Sequence, residues 1–228
     1  RIPLTIKGTA SFPKDSVPAL DLEGFTADIA SVPVHLDAQI RRIDGRNRIE
    51  GTFGIEGCRM EDVIREFVQN IIPEAGKLRT DAILSMQGSC SGFVGNGSIP
   101  SLSINLDIPE SHLSHKDVAR DLNIKLSASA STDASGKTGL RINDLKASTE
   151  GLDFSIKGGS EDILAEDPLL DIDGRLSAHI GQLAALMPGR EDLKAEGSIS
   201  AELDGSIRLS QMSIYNFAQA DLNGFILC

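Results

Sequence analysis

One pair of histidines has a spacing that could hold a metal ion. His112 and His115 stand three positions apart, and Asp117 follows two positions later. Imidazole and carboxylate groups at such spacings can bind zinc, but a complete site needs at least three protein ligands. No cysteine or further histidine lies nearby, and the segment 109–117 is polar. We therefore interpret this segment as a solvated connection and predict no metal site.

Two acidic pairs and one cysteine could in principle serve catalysis. The acidic pairs stand at 61–62 and 161–162, where helical turns are predicted to begin. Adjacent helical side chains do not face one common site, and carboxylates in a first turn are stabilised by the helix dipole. Cys58 precedes Arg59, where a thiol could be activated, but no histidine is close in sequence. We predict a non-enzymatic protein without catalytic residues or a cofactor.

Charge and composition exclude several classes of ligand. The net charge of −11 repels a phosphate backbone, so we expect no nucleic-acid partner. Eight Phe, one Tyr and no Trp leave few rings for stacking on bases or sugars. Gly92, Gly95 and Gly97 follow a predicted strand but precede no helix, which removes the context of a phosphate-binding loop. A secreted hydrolase or a sugar-binding module is therefore the least favoured interpretation.

The cysteines and the termini bear on the protein's setting. Cys58 and Cys90 could form a disulfide in an oxidising compartment, although buried free thiols are the simpler interpretation. No run of 18 apolar residues predicts a transmembrane helix. Residues 1–6 and 222–228 both alternate like the interior of a strand. We expect the chain to be a piece of a longer protein.

Alternation of apolar and polar residues dominates the chain and predicts its fold class. It is clearest in 2–6, 32–40, 102–108, 122–128 and 199–203. Period two is the pattern of a half-buried strand, and strands with one apolar face and one polar face are typical of antiparallel sheets. The sequence therefore predicts a mainly β protein with an antiparallel sheet.

Helices and turns are predicted at a few places only. A helix at 61–72 would end at Pro73, and a shorter one is predicted at 179–187. The inward positions of the first helix would be Val63, Ile64, Phe67, Val68 and Ile71. Turn residues at 44–47, 135–137 and 204–205 are predicted to separate strands.

An imperfect internal repeat divides the chain at about residue 109. Phe53-Gly54-Ile55-Glu56-Gly57 is matched by Phe154-Ser155-Ile156-Lys157-Gly158, and an acidic pair follows each copy. The second copy carries an insertion near 167–178 that itself alternates like a strand. We predict one β-rich unit over 1–228, made of two repeats at about 1–109 and 110–228.

One-faced strands need a cover for their apolar side, and two short helices cannot supply it for a dozen strands. The sheet must therefore either close on itself as a β-sandwich or leave an apolar groove. In the second case the groove would be lined by aliphatic residues of the clearest alternating segments. These candidates are Val34, Leu36, Ile40, Leu102, Ile104, Leu106, Leu122, Ile124, Leu126, Ile199 and Leu203.

The stretch 151–227 resembles the AsmA-like family of bacterial envelope proteins, relatives of the bridge-like lipid transfer proteins. The resemblance is carried by Leu152-Asp153-Phe154-Ser155-Ile156-Lys157-Gly158, then Ile163-Leu164, then Asp167-Pro168-Leu169-Leu170-Asp171-Ile172. A short helix at 180–188 and a glycine-bearing strand at 193–199 continue the order. Serine-rich strands such as 126–131 are similar to those of the family as well.

The resemblance implies a fold and a setting. The fold would be a large curved antiparallel sheet or half-pipe with two short amphipathic helices, and a closed β-sandwich is the alternative. The parent protein would be anchored to the inner or outer membrane and would reach into the periplasm. Its partners would be phospholipid or another acyl lipid, in support of outer-membrane assembly. An interaction scaffold that docks other envelope proteins is the alternative function.

Overall fold

The computed structural model describes residues 4–12, 19–29, 32–69, 73–95, 97–115, 121–181, 196–211 and 221–227. Strand is the dominant secondary structure, with 75% of residues in strands and 9% in helices. The strands are β1 (Leu4–Ser11), β2 (Ala19–Ile29), β3 (Val32–Ile43), β4 (Arg46–Arg59), β5 (Leu78–Thr80), β6 (Ile83–Val94), β7 (Ser101–His115), β8 (Leu122–Thr132), β9 (Thr138–Thr149), β10 (Leu152–Ser160), β11 (Leu169–His179), β12 (Ser198–Arg208) and β13 (Asp221–Leu227).

All thirteen strands belong to one antiparallel sheet. Apart from the short β5, each strand pairs with its neighbours in chain order, from β1 at one end to β13 at the other. β5 lies off this path and pairs with β7 beside the start of β6. The prediction of a large antiparallel sheet with few short helices is confirmed. The sheet is open, because β1 and β13 have no mutual pairing among the described strands.

The tight turn between β3 and β4 lies where the sequence predicts it. Ile43 pairs with Arg46, so Asp44 and Gly45 form a two-residue hairpin loop. Their φ angles are 49° and 75°, and positive values at both positions match the twist of the flanking strands. Residues 135–137 also lie in a connection, between β8 and β9.

A predicted turn at 204–205 is wrong. Asp204 pairs with Asp173 and Asn223, and Gly205 pairs with Ile172, so both residues lie inside β12. The alternation that begins at Ile199 continues through this dipeptide to Ile207. Pairing along the whole of β11 outweighs the local preference of Asp-Gly for a turn.

The first predicted helix is shorter and wound differently from the prediction. An α-helical turn, α1 (Met60–Val63), continues as a π-helix (Ile64–Val68), in which Gln69 N donates to Ile64 O at 2.9 Å. Apolar residues stand at 63–64 and 67–68, four and five positions apart, which suits the wider π turn. A 3₁₀ helix (Pro73–Lys77) follows. Residues 70–72, with Ile71, lie outside the described part, as do the side chains of Phe67 and Val68.

The second predicted helix lies mostly outside the described residues. His179 is the last residue of β11, and only Ile180 and Gly181 are described as helical before the gap at 182–195. A further 3₁₀ turn, Leu209–Gln211, follows β12. No helix in the described part is long and apolar enough to span a membrane.

The two F-x-I-x-G segments of the internal repeat lie in strands β4 and β10. The register shifts directly after each isoleucine, but the extra residue belongs to β4 in the first case, between Ile55 and Cys58, and to β9 in the second, between Ile142 and Leu145. A β-bulge inserts one extra residue and bends the strand. The insertion in the second copy is a strand, β11, as the sequence predicts.

A small sealed core lies at one flank of the sheet. Ala82, Leu84 and Ile108 are buried, and Met60 and Val63 of α1 pack against them. Met60 N donates to Ala82 O at 2.9 Å, which fixes the start of the helix over this cluster. We call residues 60–68 the cap.

Candidate functional site

The predicted lining residues all lie on one face of the sheet. They belong to β3, β7, β8 and β12, and each is half-buried. In an antiparallel pair, directly opposite residues project from the same face. The register of each strand pair therefore shows which residues extend this apolar face from strand to strand.

One row of the apolar face joins β3 to β7. Val34 pairs with Ile55, Ile55 with Met86, and Met86 with Leu106. The row continues from Leu106 to Ala128 on β8. Two separate predicted segments, 32–40 and 102–108, are thus linked by apolar side chains of β4 and β6.

A parallel row contains the largest side chains of this region. Leu36 pairs with Phe53, Phe53 with Gly88, and Gly88 with Ile104. A Cβ on Gly88 would come within 2.2 Å of the Phe53 ring, so the ring lies directly over the glycine. The absence of a side chain at position 88 provides the space that the ring occupies.

A third row extends the face across the second half of the chain. Leu126 pairs with Leu145, Leu145 with Ile156, Ile156 with Gly174, and Gly174 with Leu203. The rows named here contain no charged residue from β3 to β12. An apolar strip therefore crosses the sheet in the direction perpendicular to the strands.

The remaining predicted residues lie at the margins of the same face. Ile40 pairs with Ile49, Leu102 with Cys90, Leu122 with Leu113, Ile124 with Ala147, and Ile199 with Ala178. The structure thus places all the sequence-predicted lining residues on a single surface.

Strands that the prediction did not use contribute as much of this face. Among them are Phe25, Ile55, Met86, Ile142, Leu145, Phe154, Ile156, Ile172 and Leu176. In the repeated F-x-I-x-G segments, Phe and Ile alternate with polar or glycine residues. This alternation could have predicted four of the aromatic and aliphatic lining positions. The other strands are interrupted by glycines or bulges, which hide the alternation.

The apolar face remains partly open to water. Its predicted lining residues are all half-buried, and full burial on this face is limited to separate positions, such as Ala38, Ile108 beneath the cap, and Ala178. The inner residues of a closed sandwich would be sealed along their whole length. Within the described residues, the sequence alternative of a closed β-sandwich does not hold.

The opposite face is polar and carries the charges. One row there runs from Gln87 through Asn105 and Ser129 to Arg141. On β8 and β9, Lys125 Nζ and Lys146 Nζ lie 3.1 Å and 3.4 Å from Asp144 Oδ2. The hydrogen bond from Lys125, assisted by the charge of Lys146, lowers the pKa of Asp144. The two faces therefore differ sharply in chemistry.

Where they are described, the residues that could have served catalysis or metal binding lie at separate places in the sheet. His112 Nδ1 lies 3.0 Å from Asp81 Oδ2, on the exposed margin of the sheet. Hydrogen bonds from the backbone and the ring of His112 lower the pKa of Asp81. Among the described residues no group of three potential ligands could hold a metal ion, and Asp117 lies outside them.

The two acidic pairs have structural roles. Glu61 Oε2 binds Arg59 at 2.8 Å and its Oε1 accepts from Thr80 N at 3.4 Å, so it ties the cap to β5. Asp162 Oδ1 accepts from Thr138 N at 3.2 Å, and Glu161 Oε2 pairs with Lys137 at 3.0 Å. Each acidic pair fixes a connection rather than facing a common substrate position.

The described cysteines are separate and unoxidised. Cys58 is buried and Cys90 is half-buried. Cys90 lies opposite Gly51 of β4, and Gly51 is seven residues from Cys58 along that strand. Seven strand residues span about 23 Å, so the two cysteines are too far apart for a disulfide. Burial, with a smaller contribution from Asp62, raises the pKa of the Cys58 thiol. This shift is opposite to that of an activated nucleophile.

Comparisons with family models, with curated proteins and with solved structures find no match to this chain.

Proposed function

We propose that this chain is a non-enzymatic segment of an envelope protein that shelters or conducts lipid acyl chains along its apolar face. The observation that supports the proposal is the continuous, uncharged and half-exposed strip that crosses the sheet from β3 to β12. A monomeric protein rarely leaves so large an apolar surface in contact with water unless it binds something.

The free energy of acyl-chain burial is large enough to drive such binding. Each CH₂ group removed from water contributes about 0.8 kcal/mol, so a 16-carbon chain can gain on the order of 13 kcal/mol. Leu, Ile, Val and Ala side chains provide this gain without specific hydrogen bonds. A chain lying across the strands would contact one row after another, which permits movement along the strip.

The setting that agrees with this activity is the periplasm, where the parent protein supports outer-membrane assembly. Contact with the membranes would come from other parts of that protein. The resemblance of 151–227 to AsmA-like proteins and the open antiparallel sheet both favour this proposal over a globular enzyme.

Lipid extraction and native mass spectrometry of gently purified protein test the proposal. Ile104 and Ser103 are adjacent on β7 and project from opposite faces, so Ile104→Asn and Ser103→Asn form a matched pair. We expect co-purified phospholipid in the wild type and in Ser103→Asn, and a clear loss in Ile104→Asn. Circular dichroism establishes that both variants keep the sheet. Consistently lipid-free protein, or equal loss in both variants, would contradict the proposal.

A second candidate function is an interaction scaffold, favoured by the open edge of the sheet. β1 pairs only with β2 among the described strands, so its outer backbone groups are available to a partner strand. Such pairing is the mode of β-augmentation. Photocrosslinking from Lys7 and Thr9 in cells tests this candidate, and recovery of lipid without any protein adduct would contradict it.

A further inference from the structure

The polar face contains a depression of about 430 Å³ over β9 to β13. Its floor comes from two rows of the polar face and from the row between them, Ala147, Phe154, Leu176 and Ala201, whose side chains belong to the apolar face. One row runs from Lys146 through Ser155, Arg175 and Glu202 to Phe225. Five strands span about 19 Å, so the depression is elongated across the strands.

Serines dominate the second row of this floor. Ser148 pairs with Asp153, Asp153 with Ser177, and Ser177 with Ser200. Within the described part of the chain, these three serines and Ser155 make no side-chain hydrogen bond to another residue. Their hydroxyl groups are therefore free to exchange water for a ligand.

The charged groups of the depression balance one another. Lys146 and Arg175 are cations, and Asp153 and Glu202 are anions. Arg175 Nε and Glu202 Oε1 are 3.7 Å apart, which is too long for a strong hydrogen bond. A neutral ligand is favoured over a polyanion, because the whole chain also carries a net charge of −11.

An exposed aromatic ring lies at one end of the depression. Phe225 is 49% exposed and lies opposite Glu202, on the polar face. The rings of Phe25, Phe53 and Phe154 lie instead in rows of the apolar face. A half-exposed ring beside hydroxyl, carboxylate and guanidinium groups offers an apolar platform together with hydrogen-bond donors and acceptors.

Although the chain as a whole has few aromatic rings, one of them is exposed in this depression, and we propose that the depression binds a neutral, hydroxyl-rich oligosaccharide. The Phe225 ring would stack against the apolar face of one sugar ring. Asp153 and Glu202 would accept hydrogen bonds from sugar hydroxyl groups, and Arg175, Lys146 and the serines would donate to sugar oxygens. The elongated shape favours a chain of several sugars over a single one. This site lies on the face opposite the proposed acyl-chain strip, so it is independent of it.

Titration of isotope-labelled protein with maltotetraose, cellotetraose and chitotetraose, followed by NMR, tests the proposal. We expect at least one of these probes to shift amide resonances of β10 to β13. Phe225→Ala should weaken that binding at least tenfold, and Phe225→Tyr should preserve it. Phe12→Ala removes another exposed ring, at the end of β1, and should leave the affinity unchanged.

Two results would overturn the proposal. One is the absence of any shift with all three probes at millimolar concentration, in protein whose spectrum shows an intact sheet. The other is binding that Phe225→Ala leaves unchanged, which would place the sugar elsewhere on the surface.

Discussion

The ring of Phe53 on β4 lies directly over Gly88 on β6, at a point where a Cβ would approach the ring to 2.2 Å. The contact packs an aromatic ring into the apolar face without raising it far above the sheet. It also explains why a glycine stands within a long strand, a position that normally costs stability.

Gly88→Ala should therefore destabilise the protein. The new methyl group forces the Phe53 ring out of place, and overpacking of this kind costs about 1–3 kcal/mol. Urea unfolding followed by circular dichroism measures the change. Gly174→Ala is the matched control, because its Cβ would have no neighbour closer than 3.8 Å. We expect the control to be neutral or slightly stabilising, and equal destabilisation of both variants would refute this account of Gly88.

The cap covers only part of the apolar face. The same substitution, Ile to Ala, should therefore lower the free energy of unfolding by different amounts at two positions of β7. Ile108 lies under the cap with 4% exposure, whereas Ile104 is half-buried. Ile108→Ala should cost about 2–5 kcal/mol through loss of contacts and a cavity. Ile104→Ala should cost clearly less, because water already reaches that side chain. Similar costs in chemical denaturation would mean that the face is covered evenly.

Much of this fold can be predicted from the sequence, because each clear alternating segment indicates a strand with one apolar face. The segments 32–40, 102–108, 122–128 and 199–203 lie within β3, β7, β8 and β12. The register between strands could not be predicted, since it depends on bulges such as those after Ile55 in β4 and after Ile142 in β9. The link from Val34 to Leu106 therefore emerges only from the structure.

Local signals misled the prediction where tertiary pairing decides the conformation. The Asp204-Gly205 dipeptide has turn chemistry, yet both neighbours of β12 pair with it. The helical pattern at 61–72 correctly located the cap but not its π-helical winding. The depression on the polar face had no sequence signal, because serines on four strands meet there only through the sheet.

Acid should weaken the pairing of β8 with β9. The pKa of Asp144 is lowered in the folded protein, so its contribution to stability is present above the pKa of an unfolded aspartate, about 3.9. That contribution is lost as the pH falls through the lower folded value. Asp144→Asn should lower the melting temperature at pH 7 and should match the wild type at the lowest pH at which both still fold. A difference that persists unchanged at that pH would show that the ion pair is not its cause.

Cys90 provides a native reporter of the apolar face. Its side chain lies between Gly51 and Leu102 and is half-buried, whereas Cys58 is buried and its pKa is raised. In a Cys228→Ser background, a maleimide should label Cys90 faster than Cys58. Added phosphatidylglycerol should slow the labelling of Cys90, because acyl chains would cover that row.

Cys58→Ala in the same background controls for slow labelling of the second thiol. Phosphorylcholine, which has no acyl chain, controls for the headgroup. Protection of Cys90 by phosphorylcholine alone, or its absence with phosphatidylglycerol, would be inconsistent with acyl chains on this face.

The most direct measurement is photocrosslinking with a phospholipid that carries a diazirine within its acyl chain, followed by peptide mapping. The account predicts adducts on residues of the apolar face, such as Leu36, Ile104, Leu126 and Leu203, from several strands and in preference to polar-face neighbours such as Asn105 and Ser129. Unlabelled phospholipid should compete for these adducts. Adducts confined to the polar face, or spread equally over both faces, would contradict the claim that the apolar strip binds lipid.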